Sequence, residues 1–195
     1  MNLTVSIRTG SASLPRVEVR EAIADEHAAA GRVTAEAYRE FVRPGDDDWE
    51  RYLLRIADVA SRADQTTILV AVEDGRVVGS LTLEIDGRVR DDEDDEQRPL
   101  EPEEAHIRML GVDPAARSRG VARALMAESE ARARAAGKTF MTLNTTHRMK
   151  AAQAMYERLG YERTPDIVFP DGFVLLGYTK QLSVSAREWR GNEGA

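Results

Sequence analysis

The stretch MLGVDPAARSRGVARALM, Met109 to Met126, constrains the fold more than any other part of the chain. An apolar run ends at Asp113-Pro114, where proline withdraws an amide from any further sheet ladder. A loop of small and basic residues, Ala115 to Arg119, follows. Gly120 then opens a helical pattern with Ala122, Leu125, Met126, Ser129, Ala133 and Ala136 on one face, closed by Gly137. Thr139 to Thr145 resumes as a strand. A strand, a helix and a strand in that order form a crossover, which requires a sheet with helices packed on it.

The remaining elements fit around this crossover. Val17, Val19 and Ala22 mark a first strand. Asp25 to Val42 and Asp46 to Ala63 carry helical stripes separated by Pro44-Gly45. TTILVAVEDGRVVGSLTLEI is two β-branched runs around Asp74-Gly75, the strongest short hairpin signal. Ala105 to Val112 is the strand before the loop. Met149, Ala152, Tyr156 and Leu159 share one face of a last helix, and Phe173 to Thr179 supplies a last strand. The fold class is α/β, with a mixed central sheet of six to seven strands and helices on both faces. At 195 residues one domain is expected, over residues 16–182, with an arm at 1–15 and a tail at 183–195.

Composition excludes several function classes. With 42% hydrophobic and 31% charged residues the chain can build a core. Its longest apolar stretches, such as Ile68 to Val72, fall far short of the ~20 residues that span a bilayer, and the first ten residues lack a signal-peptide pattern. A cytoplasmic protein with no membrane partner is expected. There is no cysteine, hence no thiolate nucleophile, and His27, His106 and His147 never stand at metal-ligand spacing, so no metal is expected. Of the net charge of −7, the segment Asp91 to Glu104 carries −8, which repels a phosphodiester backbone and argues against nucleic acid. That segment reads either as a solvated loop or as a lip that attracts a cationic substrate.

The Ala115 to Ala122 turn presents helix N-terminal amides, where four donors lack intrahelical partners and the dipole favours an anion. Gly120 lets a ligand approach the backbone, and Arg117 and Arg119 add positive charge. The stretch lacks the lysine and hydroxyl residue of a Walker loop and the three glycines of a dinucleotide fingerprint. It closely resembles the acetyl-CoA motif of the GNAT superfamily of N-acetyltransferases, Arg/Gln-x-x-Gly-x-Gly/Ala, here Arg117, Gly120 and Ala122. A second motif of that family, Ala-x-x-x-Tyr-x-x-x-Gly-aromatic, is matched by Ala152, Tyr156, Gly160 and Tyr161.

The resemblance implies the GNAT fold, with the fourth and fifth strands splayed and acetyl-CoA as acetyl donor in the gap. It implies that the pantetheine arm pairs with Leu110, Gly111 and Val112, and that the pyrophosphate sits on the amides of Arg117, Ser118, Arg119, Gly120, Val121 and Ala122. Tyr156 is the implied general acid for the leaving thiolate. Where many members place an asparagine at the start of the last helix this chain has Met149, and Asn144 is the candidate substitute. The implied activity is direct acetyl transfer to a primary amine, expected to be cationic. A non-catalytic acyl-CoA sensor or interaction module on the same fold is the alternative.

An ammonium has no lone pair, so an amine acceptor must lose a proton before or as it attacks. Glu104 stands where some family members carry a glutamate base and is the first choice. Glu103 is its neighbour, and His106 has the better unperturbed pKa. The acceptor is either a small-molecule amine or a protein N-terminus, and Tyr38, Phe41, Trp49 and Tyr52 stand where the family builds that site. A homodimer is an open possibility.

Overall fold

The computed structural model describes residues 17–45, 47–89 and 98–182. The expected arm, the tail and the acidic run Asp91 to Glu96 lie outside these residues. Strand β1 (Glu18–Glu21) leads through a 3-10 turn into α1 (His27–Arg39), and then come α2 (Asp47–Ala57) and α3 (Ala60–Ala63). The single helix expected over Asp46 to Ala63 is therefore two. Arg62, which is buried, folds its guanidinium back onto the carbonyls of Ile56 and Asp58 at 3.0 and 2.8 Å and so satisfies a helix end in mid-stripe.

Strands β2 (Thr67–Glu73) and β3 (Arg76–Glu84) form the expected hairpin, with Asp74 and Gly75 at φ 49° and 74°, as a tight primed turn requires. Short strands β4 (Arg88–Val89) and β5 (Arg98–Pro99) pair with each other apart from the main sheet. The crossover is β6 (Glu104–Val112), α4 (Val121–Ala135) and β7 (Phe140–Thr146). The chain continues through α5 (Lys150–Arg158), the two-residue strands β8 (Glu162–Arg163) and β9 (Ile167–Val168), and β10 (Val174–Gln181). Residues flanking such short strands carry no periodic signal, and neither β8 nor β9 was expected.

The main sheet runs β1-β2-β3-β6-β7-β10-β8, with β9 also on β10, and β6–β7 is its parallel contact. Leu69, Leu81, Leu83, Ala105, Ile107, Met141 and Leu143 pack with Leu125, Met126 and Ala133 of α4 and with Tyr156 of α5. The other face of the sheet takes α1 to α3, where Ala30 and Val59 meet Ile68, Val70 and Val72. Strand β2 is buried on both sides, so its side chains are apolar without alternation.

Two irregularities in β6 shape the site. Opposite Ser80 to Thr82 of β3, β6 runs from Gly111 to Arg108 and carries one extra residue. Met109 within this bulge has φ 54°, unusual for a residue with a Cβ, and is held there by packing against Ala35, Leu53 and Ile56. On the opposite edge, pairing with β7 covers Glu104 to Ile107 against Phe140 to Leu143 and goes no further. From Arg108 to Val112 that edge of β6 has no strand partner among the described residues. The fourth and fifth long strands are thus splayed at the bulge, as expected.

Candidate active site

The splay opens into a cavity of about 500 Å³. Its walls come from β6 (His106 to Met109), β7 and the turn after it (Asn144 to Thr146, Arg148, Met149), α1 and α2 (Tyr38, Trp49, Tyr52, Arg55), and the segment entering β10 (Phe173, Leu175). The polar side of this region is a product of strand alternation. Glu104, His106 and Arg108 share one face of β6, while Ala105 and Ile107 enter the core behind it.

Between β6 and β7 the polar residues form a continuous chain. The Arg98 guanidinium donates to both carboxylate oxygens of Glu104, at 2.7 and 2.5 Å, and the Glu101 amide donates at 3.2 Å. The Thr142 hydroxyl donates to Glu104 Oε1, and His106 Nδ1 lies 2.7 Å from Thr142 Oγ1. Burial pushes the Glu104 carboxyl upward, but the hydrogen bonds from Arg98, Thr142 and the Glu101 amide outweigh it and bring the pKa down to about 2. Burial, reinforced by Arg108 and Arg98 and opposed by Glu104, brings His106 down to about 3. The site therefore holds an ionised carboxylate and a neutral imidazole at physiological pH. Of these two, His106 lines the cavity.

The loop before α4 has the form of an anion cradle. Asp113 caps its first turn through Ala115 N at 2.9 Å. Ser118 and Gly120 adopt φ 61° and 85°, and the first bond of α4 runs from Ala124 N to Gly120 O. Among the described residues, the amides from Ser118 to Arg123 donate to no backbone carbonyl outside the helix. A Cβ built on Gly120 meets nothing within 4 Å, so the space above these amides is open. Arg117 and Arg119 do not face that space as bare charges. Arg117 binds Glu40 at 2.9 Å, and Arg119 is paired with Glu73.

The other residues singled out from sequence have distinct settings. Leu110, Gly111 and Val112 lie on the unpaired edge of β6, and Gly111 also passes directly against α1. Asn144 borders the cavity, and its amide makes no side-chain hydrogen bond among the described residues. Met149, at the N-terminal boundary of α5, caps nothing and turns its sulfur to the Thr145 hydroxyl at 3.4 Å. Tyr156 is buried among Tyr161 and Tyr178, at centroid distances of 6.1 and 5.9 Å, and does not line the cavity. Burial, with Tyr38 and Tyr178 adding to it, raises its pKa, so the phenol keeps its proton.

Three participants were not assigned roles from sequence. Thr142 bridges Glu104 and His106. The Thr146 hydroxyl is buried at the cavity without a hydrogen-bond partner among the described residues. Arg148 stacks on Trp49, 5.5 Å from its centroid. The alternation Thr142-Leu143-Asn144-Thr145-Thr146 was the available signal for the first two.

Residues 31–161 match the model of the Acetyltransferase (GNAT) family. The chain belongs to this family, whose acetyl donor is acetyl-CoA. No curated protein sequence matches it. Solved structures of the same fold include yncA of Salmonella typhimurium with its cofactor acetyl-CoA, at 21% identity over 87% of this chain and 96% of that one, TM-score 0.60. The ribosomal-protein-S18-alanine N-acetyltransferase of Escherichia coli is 15% identical over 89% of this chain and 98% of its own, TM-score 0.60. Ard1 of Thermoplasma volcanium is 16% identical over 86% and 98%, TM-score 0.64.

The residues present fit such a donor. Unpaired amides and open space at Gly120 suit a pyrophosphate, and the free edge of β6 suits an amide-bearing arm laid alongside it as an extra strand. The Thr146 hydroxyl and the Asn144 amide are polar groups awaiting a partner at the end of that path.

Proposed function

We propose that the protein is an N-acetyltransferase that moves an acetyl group from acetyl-CoA directly to a primary amine. The observation that carries this reading is the end of β6–β7 pairing at Ile107 and Leu143, with the free strand edge leading from the amide loop to a cavity bordered by His106 and Asn144. Amides from Ser118 through Ala122 hold the pyrophosphate, the Arg117 amide being directed to the Pro114 carbonyl at 3.5 Å, and Leu110 to Val112 orient the arm. Bound there, acetyl-CoA supplies the activated acyl group.

His106, not Glu104, is the group proposed to receive the acceptor's proton. The Glu104 carboxylate is committed to Arg98, Thr142 and the Glu101 amide and does not line the cavity, whereas His106 does. A neutral imidazole on the cavity wall is placed to accept a hydrogen bond from the amine. Tyr156 is proposed as the acid that protonates the departing thiolate. Its phenol carries a proton at neutral pH, and Tyr38, which lines the cavity, is its electrostatic neighbour.

The described cavity lining holds Arg51, Arg55, Arg108 and Arg148 against Asp48 and Asp171, so support for a cationic acceptor comes from the acidic segment alone. Incubation with acetyl-CoA and a panel running from a polyamine through amino acids to an N-terminal peptide, with release of free thiol as the readout, tests the proposal. Transfer to one class establishes the activity and the acceptor. Tight acetyl-CoA binding with no transfer to any amine identifies the non-catalytic module instead.

A further inference from the structure

The Arg98–Glu104–Thr142–His106 chain fixes proton positions as well as side chains. Glu104 is an ionised acceptor, so the one hydroxyl proton of Thr142 is given to it. Thr142 then has only lone pairs to offer His106, and the 2.7 Å contact requires Nδ1 to carry a proton and donate it. His106 Nε2 is left with its lone pair, and it makes no hydrogen bond within the described residues. His106 and Thr142 are partners in the parallel register, so the sheet itself holds them together.

Resting on the placement of His106 in the proposed function, we infer that Thr142 is a positioning residue: it relays the charge of Glu104 to His106 and locks the imidazole as the Nδ1–H tautomer, with Nε2 presented to the acceptor amine. As the amine nitrogen forms its bond to the acetyl carbon, its N–H becomes acidic. That N–H bond breaks, an Nε2–H bond forms, and the imidazolium donates from Nδ1 toward Thr142 and the Glu104 carboxylate. The carbonyl reforms as the acetyl C–S bond breaks, CoA leaves as the thiol carrying the Tyr156 proton, and the proton on Nε2 passes to solvent, from which Tyr156 is reprotonated, when the amide product departs. Glu104 stays ionised throughout, which agrees with the three donors that hold it. Carboxylate support through an intermediary resembles the way a buried carboxylate orients a catalytic histidine by direct contact.

Two readouts on Thr142→Val, which replaces the hydroxyl by a methyl of like size, test this. In the ¹⁵N-labelled protein without ligand, long-range proton–nitrogen spectra report the His106 tautomer, with His106→Gln identifying its signals among the three histidines. The lock predicts a predominantly Nδ1–H imidazole in the wild type, loss of that preference in Thr142→Val, and its return in Thr142→Ser. The kcat should fall roughly 10–100-fold in the valine variant, the range seen when a group that orients a histidine is removed, with acetyl-CoA affinity unchanged and the serine variant restored. Thr142→Ala replaces the valine variant if that one does not fold. A valine or alanine variant that keeps both the Nδ1–H tautomer and wild-type kcat overturns the lock. A wild-type protein that acetylates no amine overturns the proposed function, and the tautomer spectra still decide the lock independently.

Discussion

Gly111 of β6 runs so close to α1 that a Cβ at position 111 would stand 2.7 Å from the Thr34 Cα. The neighbour is backbone, which cannot rotate away. Gly111→Ala should therefore destabilise the fold by about 1–3 kcal/mol, the usual cost of overpacking a filled interior, and displace α1 from the cavity wall. Urea denaturation measures the loss. A variant as stable as the wild type would mean that α1 sits farther from the sheet than described.

Gly120 presents the opposite case, because its missing Cβ faces open space but its φ is 85°. Gly120→Glu should fold, with about 1–2 kcal/mol of backbone strain, and should fail to bind acetyl-CoA because a carboxylate enters the phosphate cradle. Calorimetric titration is the check, and unchanged affinity in the folded variant would remove the pyrophosphate from this loop.

Tyr156→Phe keeps the buried ring and deletes a hydroxyl that makes no hydrogen bond among the described residues. Stability should hold. If the phenol is the acid, kcat should drop about 10²–10⁴-fold while the affinity for acetyl-CoA stays put. Full activity would leave the ring as core packing and direct attention to Tyr38.

Glu104→Gln should act on stability and on its pH dependence. The folded-state pKa of about 2 lies below the ordinary 4.5, so the stabilisation is fully present above pH about 4.5 and drains away as pH falls toward 2. The glutamine variant should be less stable at neutral pH by about 1–3 kcal/mol, the cost of losing a charged hydrogen-bond network, and its stability should change less than that of the wild type between pH 4.5 and 2. Thermal melts across that window read both effects. Parallel pH profiles for the two proteins would show that Glu104 carries no special charge.

Much of the architecture was legible because it is written in local chemistry. Asp74-Gly75 announces its turn, Asp113-Pro114 stops a strand, and Gly120 and Gly137 bracket α4 near the expected limits. The break between α2 and α3 was not legible, since it depends on Arg62 reaching carbonyls of the preceding turn and Thr82 in the sheet. The site was half legible. Glu104 read either as the base or as a solvated member of the acidic loop, and only the fold, which brings Thr142 of β7 and Arg98 of β5 onto its carboxylate, shows it as a buried, ion-paired acceptor. The bulge at Met109 follows from packing against α1 and α2, which no spacing rule encodes.

The short β6–β7 ladder also has a mechanical meaning. Four rungs, Glu104–Phe140 to Ile107–Leu143, are the backbone spine joining one leaf, β1-β2-β3-β6, to the other, β7-β10 with β8 and β9. Beyond the spine the leaves part like the pages of an opened book. On the proposed donor path, a guest laid between them would bridge both pages, adding rungs to the one and touching the other at Asn144 and Thr146. Occupancy and stiffness would then be a single property of this molecule: filling the opening would lengthen the binding that holds the book together.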